Sequence, residues 1–160
     1  MSGKTIVSLI IKWGALICLI LLVRSEFSGN KISKTEFDTM QEKVLAEADN
    51  SVMQSADNQM IRRLYGLDPS EYEGVSLSYP ITNMGAEEIL LVKLKEVSQA
   101  DTVLAAIESR LATQKKSFDG YGAAQTEMLE SSIVDHVGNY ILFVSAEDPG
   151  SVKNVFESAL

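Results

Sequence analysis

Four side chains in the carboxyl-terminal half of the chain have the types and spacing to hold an anion. Arg110 and Gln114 are one helical turn apart, so a helix would place them on the same face. Tyr121 follows in a glycine-rich stretch, and Tyr140 lies at a predicted hairpin turn. A guanidinium offers a planar fork of donors that suits a carboxylate or a phosphate. The candidate binding patch is therefore Arg110, Gln114, Tyr121 and Tyr140.

The same residues also have a structural interpretation, which we favour. Arg110 can brace the connection between a helix and a loop by donating to backbone carbonyls or to an acid. Tyrosines commonly pack half-buried with a wet hydroxyl group. The two interpretations differ in their effect on stability. A bracing arginine loses hydrogen bonds when it is replaced, whereas a ligand-binding arginine is an uncompensated charge.

The rest of the sequence offers few residues suited to catalysis. His136 is the only histidine. A Ser-His-Asp triad using Asp135 fails, because neighbouring residues of a strand point to opposite faces. The segment Gly3-Lys4-Thr5 copies the end of a phosphate loop, but it lacks the earlier glycine and the preceding strand.

Two acidic pairs could serve as cation ligands. Glu87 with Glu88, and Glu71 with Glu73, lack the aspartate-rich spacing of a metal loop. We interpret them as solvated edges of strands and turns. The sequence therefore predicts no catalytic residue, no cofactor and no metal ion.

The first hydrophobic stretch, Thr5 to Val23, decides the predicted compartment. As a helix it spans just under ~30 Å, about one hydrocarbon core. Lys12 interrupts it, but its stem can extend toward the headgroups. A signal-peptide cleavage site after Val23 is poor because Arg24 abuts the apolar core. We expect a retained transmembrane signal-anchor, with a cleaved signal peptide as the alternative.

Charge predicts the orientation. Lys4 and Lys12 precede the apolar core, so the positive-inside rule leaves the amino terminus in the cytoplasm. All 22 acidic residues and 11 of the 14 basic ones follow Arg24, which gives that part a formal charge of −11. Such a domain is repelled by nucleic acid and by anionic lipid. We expect a single-pass protein of the cell membrane with its domain outside the cytoplasm, an envelope protein as partner and no nucleic acid.

The chain divides into a signal-anchor at 1–24, a linker at 25–34 and an extracytoplasmic domain at 35–160. Hydrophobic periodicity predicts an α+β fold, with a mostly antiparallel four-stranded sheet packed by helices. Ser33 with Glu36 reads as a capping box for a first helix whose apolar stripe runs to Val52. Gly138-Asn139 suits a type II′ or I′ hairpin turn, which would set Val137 against Tyr140.

From Leu64 onward the chain resembles the domain-of-unknown-function 4358 family of exported or membrane-anchored proteins of Gram-positive bacteria. The resemblance rests on the order and spacing of short motifs: Leu64-Tyr65-Gly66-Leu67, Ala86-Glu87-Glu88-Ile89 leading to Val92-Lys93, Arg110-Leu111-x-x-Gln114, Phe118-x-x-Tyr121 and Gly138-Asn139-Tyr140. It covers roughly the last 100 residues. The family carries no assigned activity. The chain lacks the small residue that lipoprotein processing needs before Cys18.

These features predict a non-enzymatic, membrane-anchored extracytoplasmic accessory or binding domain of the bacterial cell envelope. The alternative is an envelope enzyme acting near Arg110, Tyr121 and Tyr140. That alternative needs a deep pocket containing a titratable group with a perturbed pKa.

Overall fold

The computed structural model describes residues 32–160, whose five strands pair into one antiparallel sheet. The strand order is β1-β2-β3-β5-β4. The predicted anchor lies outside the described residues. The strands are β1 (Met53–Ser55), β2 (Gly74–Pro80), β3 (Glu88–Lys93), β4 (Ile133–Val137) and β5 (Tyr140–Ser145). Every residue of β3 and β5 is buried, as expected of strands covered on both faces.

Helices cover both faces of this sheet. They are α1 (Phe37–Glu47), α2 (Asn58–Tyr65), α3 (Ala100–Phe118), α4 (Ala123–Glu130) and α5 (Pro149–Ala159), with short 3-10 turns at Pro69–Glu71 and Val97–Gln99. Leu90 and Phe143 pack with α2 and α3 on one face. Ile89 and Leu142 pack with α1 and α5 on the other. Alternation along each central strand therefore feeds two separate cores.

The predicted α+β class and the antiparallel sheet are confirmed, but the sheet has five strands and not four. The missed strand is β1, whose Met53 pairs with Pro80. The sequence interpretation was wrong to extend the stripe of the first helix to Val52. That helix ends at Glu47, and Ala48 is already extended, with φ −91° and ψ 153°. A strand of three residues is too short to show an alternating pattern.

The predicted capping box at Ser33 is also wrong. Glu36 is the N-cap of α1 and makes no side-chain capping bond. The Ser33 hydroxyl instead donates to the Leu160 carbonyl over 3.1 Å, and its backbone N–H donates to Asn139 Oδ1 over 2.8 Å. These bonds fasten Ser33 to the end of the last helix and to the turn between β4 and β5.

The hairpin prediction is confirmed. Gly138 has φ 60°, and no non-glycine residue of 32–160 has a positive φ, so the turn is type II′. Val137 pairs with Tyr140, and Val134 pairs with Phe143. Among residues 32–160, no helix combines the length and the apolar character that a bilayer crossing requires.

We predict that Gly138→Val lowers the unfolding free energy of residues 32–160 by ~1–2 kcal/mol, because a β-carbon penalises the positive φ. Urea unfolding followed by circular dichroism measures the loss. Gly150→Ala is the matched control, because Gly150 lies in the first turn of α5 without a positive φ. A Gly138→Val protein as stable as the parent would contradict the II′ assignment.

Candidate functional site

A buried carboxylate lies at the start of the central strand. Glu88 is the first residue of β3 and is 0% exposed. Its side chain points to the face that α2 and α3 cover. A buried carboxylate without partners would be very costly, so its hydrogen bonds must come from neighbouring side chains.

Three side chains supply those bonds. Arg110 donates from Nε to Glu88 Oε1 over 3.0 Å and from Nη2 to Oε2 over 2.6 Å. Gln114 Nε2 donates to Oε2 over 2.9 Å. The Tyr65 hydroxyl donates to Oε1. This arrangement is a bidentate arginine–carboxylate pair with two further donors, which satisfies both oxygens of Glu88. We call Tyr65, Glu88, Arg110 and Gln114 the Glu88 cluster.

Local structure explains how these side chains meet. Tyr65 is the last residue of α2, which ends there because Gly66 takes the left-handed conformation at φ 69°, as is usual for a helix-ending glycine. Arg110 and Gln114 lie one turn apart on α3, so both reach the same strand. The cluster therefore ties α2, β3 and α3 together.

Burial shapes the electrostatics of the cluster. Burial raises the pKa of the Tyr65 hydroxyl well above 10, and the negative charge of Glu88 raises it further. Burial alone would lower the pKa of Arg110, but its hydrogen bonds to Glu88 and the Glu88 charge outweigh that effect and raise it. Tyr65 is therefore a neutral donor, and Arg110 is a cation already paired with an anion.

The structure brings together only two members of the candidate binding patch. Arg110 and Gln114 share Glu88 as their acceptor. Tyr121 lies beyond the end of α3, is 65% exposed and has its ring 6.1 Å from that of Phe118. Tyr140 lies on the opposite face of the sheet, within the core that α1 and α5 cover.

Tyr140 has a packing role on that face. Its hydroxyl donates to the Thr35 carbonyl over 2.8 Å, and its ring meets Phe156 edge-on. Lys93 Nζ lies 5.6 Å from the ring centroid, within the range of a cation–π contact. Burial raises the pKa of the Tyr140 hydroxyl. These contacts fix Tyr140 inside the core.

Arg110 and Gln114 also line an open cleft of about 310 Å³. Its other walls come from α2, from β2 and from the loop that follows β2. Arg63, Tyr79 and Asn83 lie along it. Since Glu88 already pairs with Arg110, the guanidinium presents no uncompensated charge to this cleft.

The other sequence candidates fall into ordinary structural places. His136 lies in β4 opposite Ile141, as predicted, and its Nε2 is 3.0 Å from the Gly138 carbonyl oxygen. The interpretation of Glu88 as a solvated edge residue is wrong, because its side chain is completely buried. Within residues 32–160, no group of three or more His, Cys, Asp or Glu side chains is arranged to hold a metal ion.

Sequence reasoning missed Glu88 and Tyr65 as members of the site. One signal was present: Glu88 begins a run that is otherwise apolar on both faces. A charged residue in such a strand requires a buried partner, and Arg110 lies on the next helix.

The fold and the Glu88 cluster define an α+β domain with a five-stranded antiparallel sheet between two helical layers, braced internally by an ion pair. The chain belongs to the family described as domain of unknown function (DUF4358), whose model matches residues 46–146. The family resemblance seen in the sequence is confirmed. No curated protein and no solved structure matches the chain.

We predict that Arg110→Ala lowers the unfolding free energy of residues 32–160 by ~3–5 kcal/mol, because it leaves a buried carboxylate without its counter-charge. Arg110→Lys should lower the unfolding free energy by less than Arg110→Ala, since lysine keeps the charge but not the planar fork of donors. Chemical unfolding at neutral pH measures both losses. The control is Arg62→Ala, which breaks an exposed pair with Asp68 and should leave stability within experimental scatter. An Arg110→Ala domain of parental stability would contradict the bracing role.

Tyr65 gives a pH-dependent prediction. Because its pKa is higher in the folded state than the ordinary value of 10, the folded state binds the proton more tightly, and stability falls as pH rises above 10. Tyr65→Phe should lower the unfolding free energy by ~1–3 kcal/mol at pH 7, because Glu88 loses one hydrogen-bond donor. The difference in unfolding free energy between the parent and Tyr65→Phe should become smaller between pH 10 and 11. Unfolding at stepped pH measures it, with the exposed Tyr121→Phe as control; a constant gap would contradict the prediction.

Proposed function

We propose that the chain is a membrane-anchored extracytoplasmic accessory domain of the bacterial cell envelope that acts by binding and not by catalysis. The observation that favours a non-catalytic role is the pairing of Arg110 with buried Glu88. The one arginine that sequence reasoning singled out as an anion site is already occupied by a carboxylate of its own chain. The polar cluster therefore supports a rigid scaffold better than a reactive centre.

The anchored and exported parts of the proposal draw on the sequence. The apolar run Thr5 to Val23 has the length of a bilayer span, and Lys4 and Lys12 favour a cytoplasmic amino terminus. The acidic charge beyond Arg24 suits a soluble domain that avoids the lipid surface. Membership of the DUF4358 family is consistent with this role but assigns no activity.

The alternative, an envelope enzyme acting near Arg110, Tyr121 and Tyr140, has less support. An active site needs its groups within reach of one reacting atom. Arg110 and Tyr140 lie on opposite faces of the sheet, and the Tyr140 hydroxyl is already bonded to the Thr35 carbonyl. Tyr121 lies in an exposed loop.

Topology reporters test the proposal. Alkaline phosphatase fused to the carboxyl end of the full chain should be active, because that enzyme matures only outside the cytoplasm, and a cytoplasm-dependent fluorescent protein at the same place should stay dark. Lys4→Gln with Lys12→Gln removes the positive charges before the span and should reduce phosphatase activity. Lys115→Gln with Lys116→Gln removes the same charge far from the span and should not.

Two results would contradict parts of the proposal. A fluorescent fusion without phosphatase activity would place the domain in the cytoplasm. Amino-terminal sequencing of the mature protein that begins at Glu26 would show a cleaved signal peptide and remove the retained anchor.

A further inference from the structure

Another concave surface of the domain is a groove of about 510 Å³ between α1, β1, α4 and the start of α5. We define it by its lining. Its apolar side chains, which we call the floor, are Ala48, Val52, Met53, Met128, Ala146 and Val152. Its acidic side chains, which we call the rim, are Glu47, Asp49, Glu87, Glu147 and Asp148. Ser151 is the remaining lining residue. We call this surface the acidic groove. Its volume lies within the range of sites that enclose a small ligand or a few side chains.

The floor of the acidic groove includes apolar area that the fold leaves exposed. Val52 is 40% exposed, although it is flanked by the buried Met53. Val52 precedes β1, and its carbonyl accepts the Ile81 N–H over 3.0 Å, so its backbone is fixed in place. Val52 therefore adds solvent-exposed apolar area to a floor that the groove's other apolar side chains already form.

The rim carries one sign of charge. Five carboxylates line the groove, and no Lys, Arg or His does. Among the residues that the structure describes, none of these five carboxylates forms a salt bridge. Asp49 and Asp148 accept backbone N–H bonds from Ser51 and Ser151, whereas Glu47 and Glu147 are exposed. The charge of this rim favours a cationic occupant and repels anionic lipid and nucleic acid.

The groove lies far from the point where the chain enters the domain. Ser33 is fastened to Leu160 at the start of α1 and the end of α5. Glu47 at the end of α1 and Asp148 at the start of α5 line the groove. A helix of the length of α1 spans about 16 Å. The groove therefore lies at the end of the domain opposite to Ser33.

We propose that the acidic groove docks a cationic amphipathic segment of a partner protein, with apolar side chains on the floor and Lys or Arg side chains against the rim. This is the helix-in-groove mode of recognition, in which apolar anchors give affinity and rim charges give orientation. The inference deepens the proposed function by naming a surface and a partner class, and it rests on that proposal for its setting outside the cytoplasm.

Site-specific photo-crosslinking of the full chain in its membrane tests the docking. The crosslinker p-benzoylphenylalanine takes the place of Val52 in the groove. Control positions are Val134, which is 43% exposed on β4, and Tyr121 beyond α3. Mass spectrometry of the adduct reads the sequence of the captured segment. The expected result is an adduct from Val52 to a segment with basic and apolar residues at helical spacing, and no such adduct from Val134.

Charge variants sharpen the test. Glu47→Lys with Glu147→Lys brings the formal charge of the five-carboxylate rim to −1 and should reduce the adduct yield by about tenfold, because most of the attraction for a cationic segment is then lost. Glu42→Lys with Glu108→Lys makes the same change in net charge on exposed residues elsewhere and should leave the yield within about twofold. Thermal unfolding of both double variants verifies that they fold. An equal loss of adduct yield in both double variants would show that net charge alone drives the contact. That result would overturn the acidic groove as the docking site.

The remaining outcomes separate this inference from the proposed function. An adduct from Val52 to residues 1–31, to a second copy of the chain or to an acidic segment would overturn the named occupant. No adduct from Val52, whatever the control positions capture, would overturn the docking site. A partner captured only from Tyr121 would overturn the groove while leaving a binding role in place. An inactive phosphatase fusion would contradict the exported location without bearing on the groove.

Discussion

A carboxylate buried inside the sheet is the constraint on which the rest of the structure depends. Glu88 begins the central strand with no exposed surface, and a lone ion there would cost several kcal/mol or more. Arg110 from α3 and Tyr65 from α2 must therefore both be in place when β3 packs. A hydrophobic contact tolerates some sliding, but a bidentate ion pair does not. The Glu88 cluster therefore fixes the positions of two helices on one strand.

This constraint divides the domain into parts with different tasks. The face under α2 and α3 holds a polar cluster whose donors all point inward to Glu88. The face under α1 and α5 is mainly apolar, and Tyr140 packs within its core beside Lys93. Arg110 is paired with Glu88 inside the polar cluster, and the acidic groove lies at the carboxyl end of α1.

Local signals in the sequence predicted the parts of the fold that short-range physics controls. Gly138 set the hairpin and its pairing, because one positive φ decides the turn type. Strand β1 was not predicted, because three residues are too few to show an alternating hydrophobic pattern and the strand is defined by its pairing with β2. The partner of Arg110 was missed for a similar reason. Glu88 is distant in sequence, and although a charged residue in an apolar strand signals a buried partner, the packed sheet is what shows that this partner is Arg110.

A double-mutant cycle measures the central claim most directly. The unfolding free energies of the parent, Arg110→Met, Glu88→Leu and the double variant give the coupling between the two side chains. The buried ion pair predicts a coupling of about 3 kcal/mol, because each single variant leaves a polar group unpartnered while the double variant leaves neither ion. A coupling near zero would mean that the two side chains act independently, and it would contradict the view of Arg110 as an internal brace.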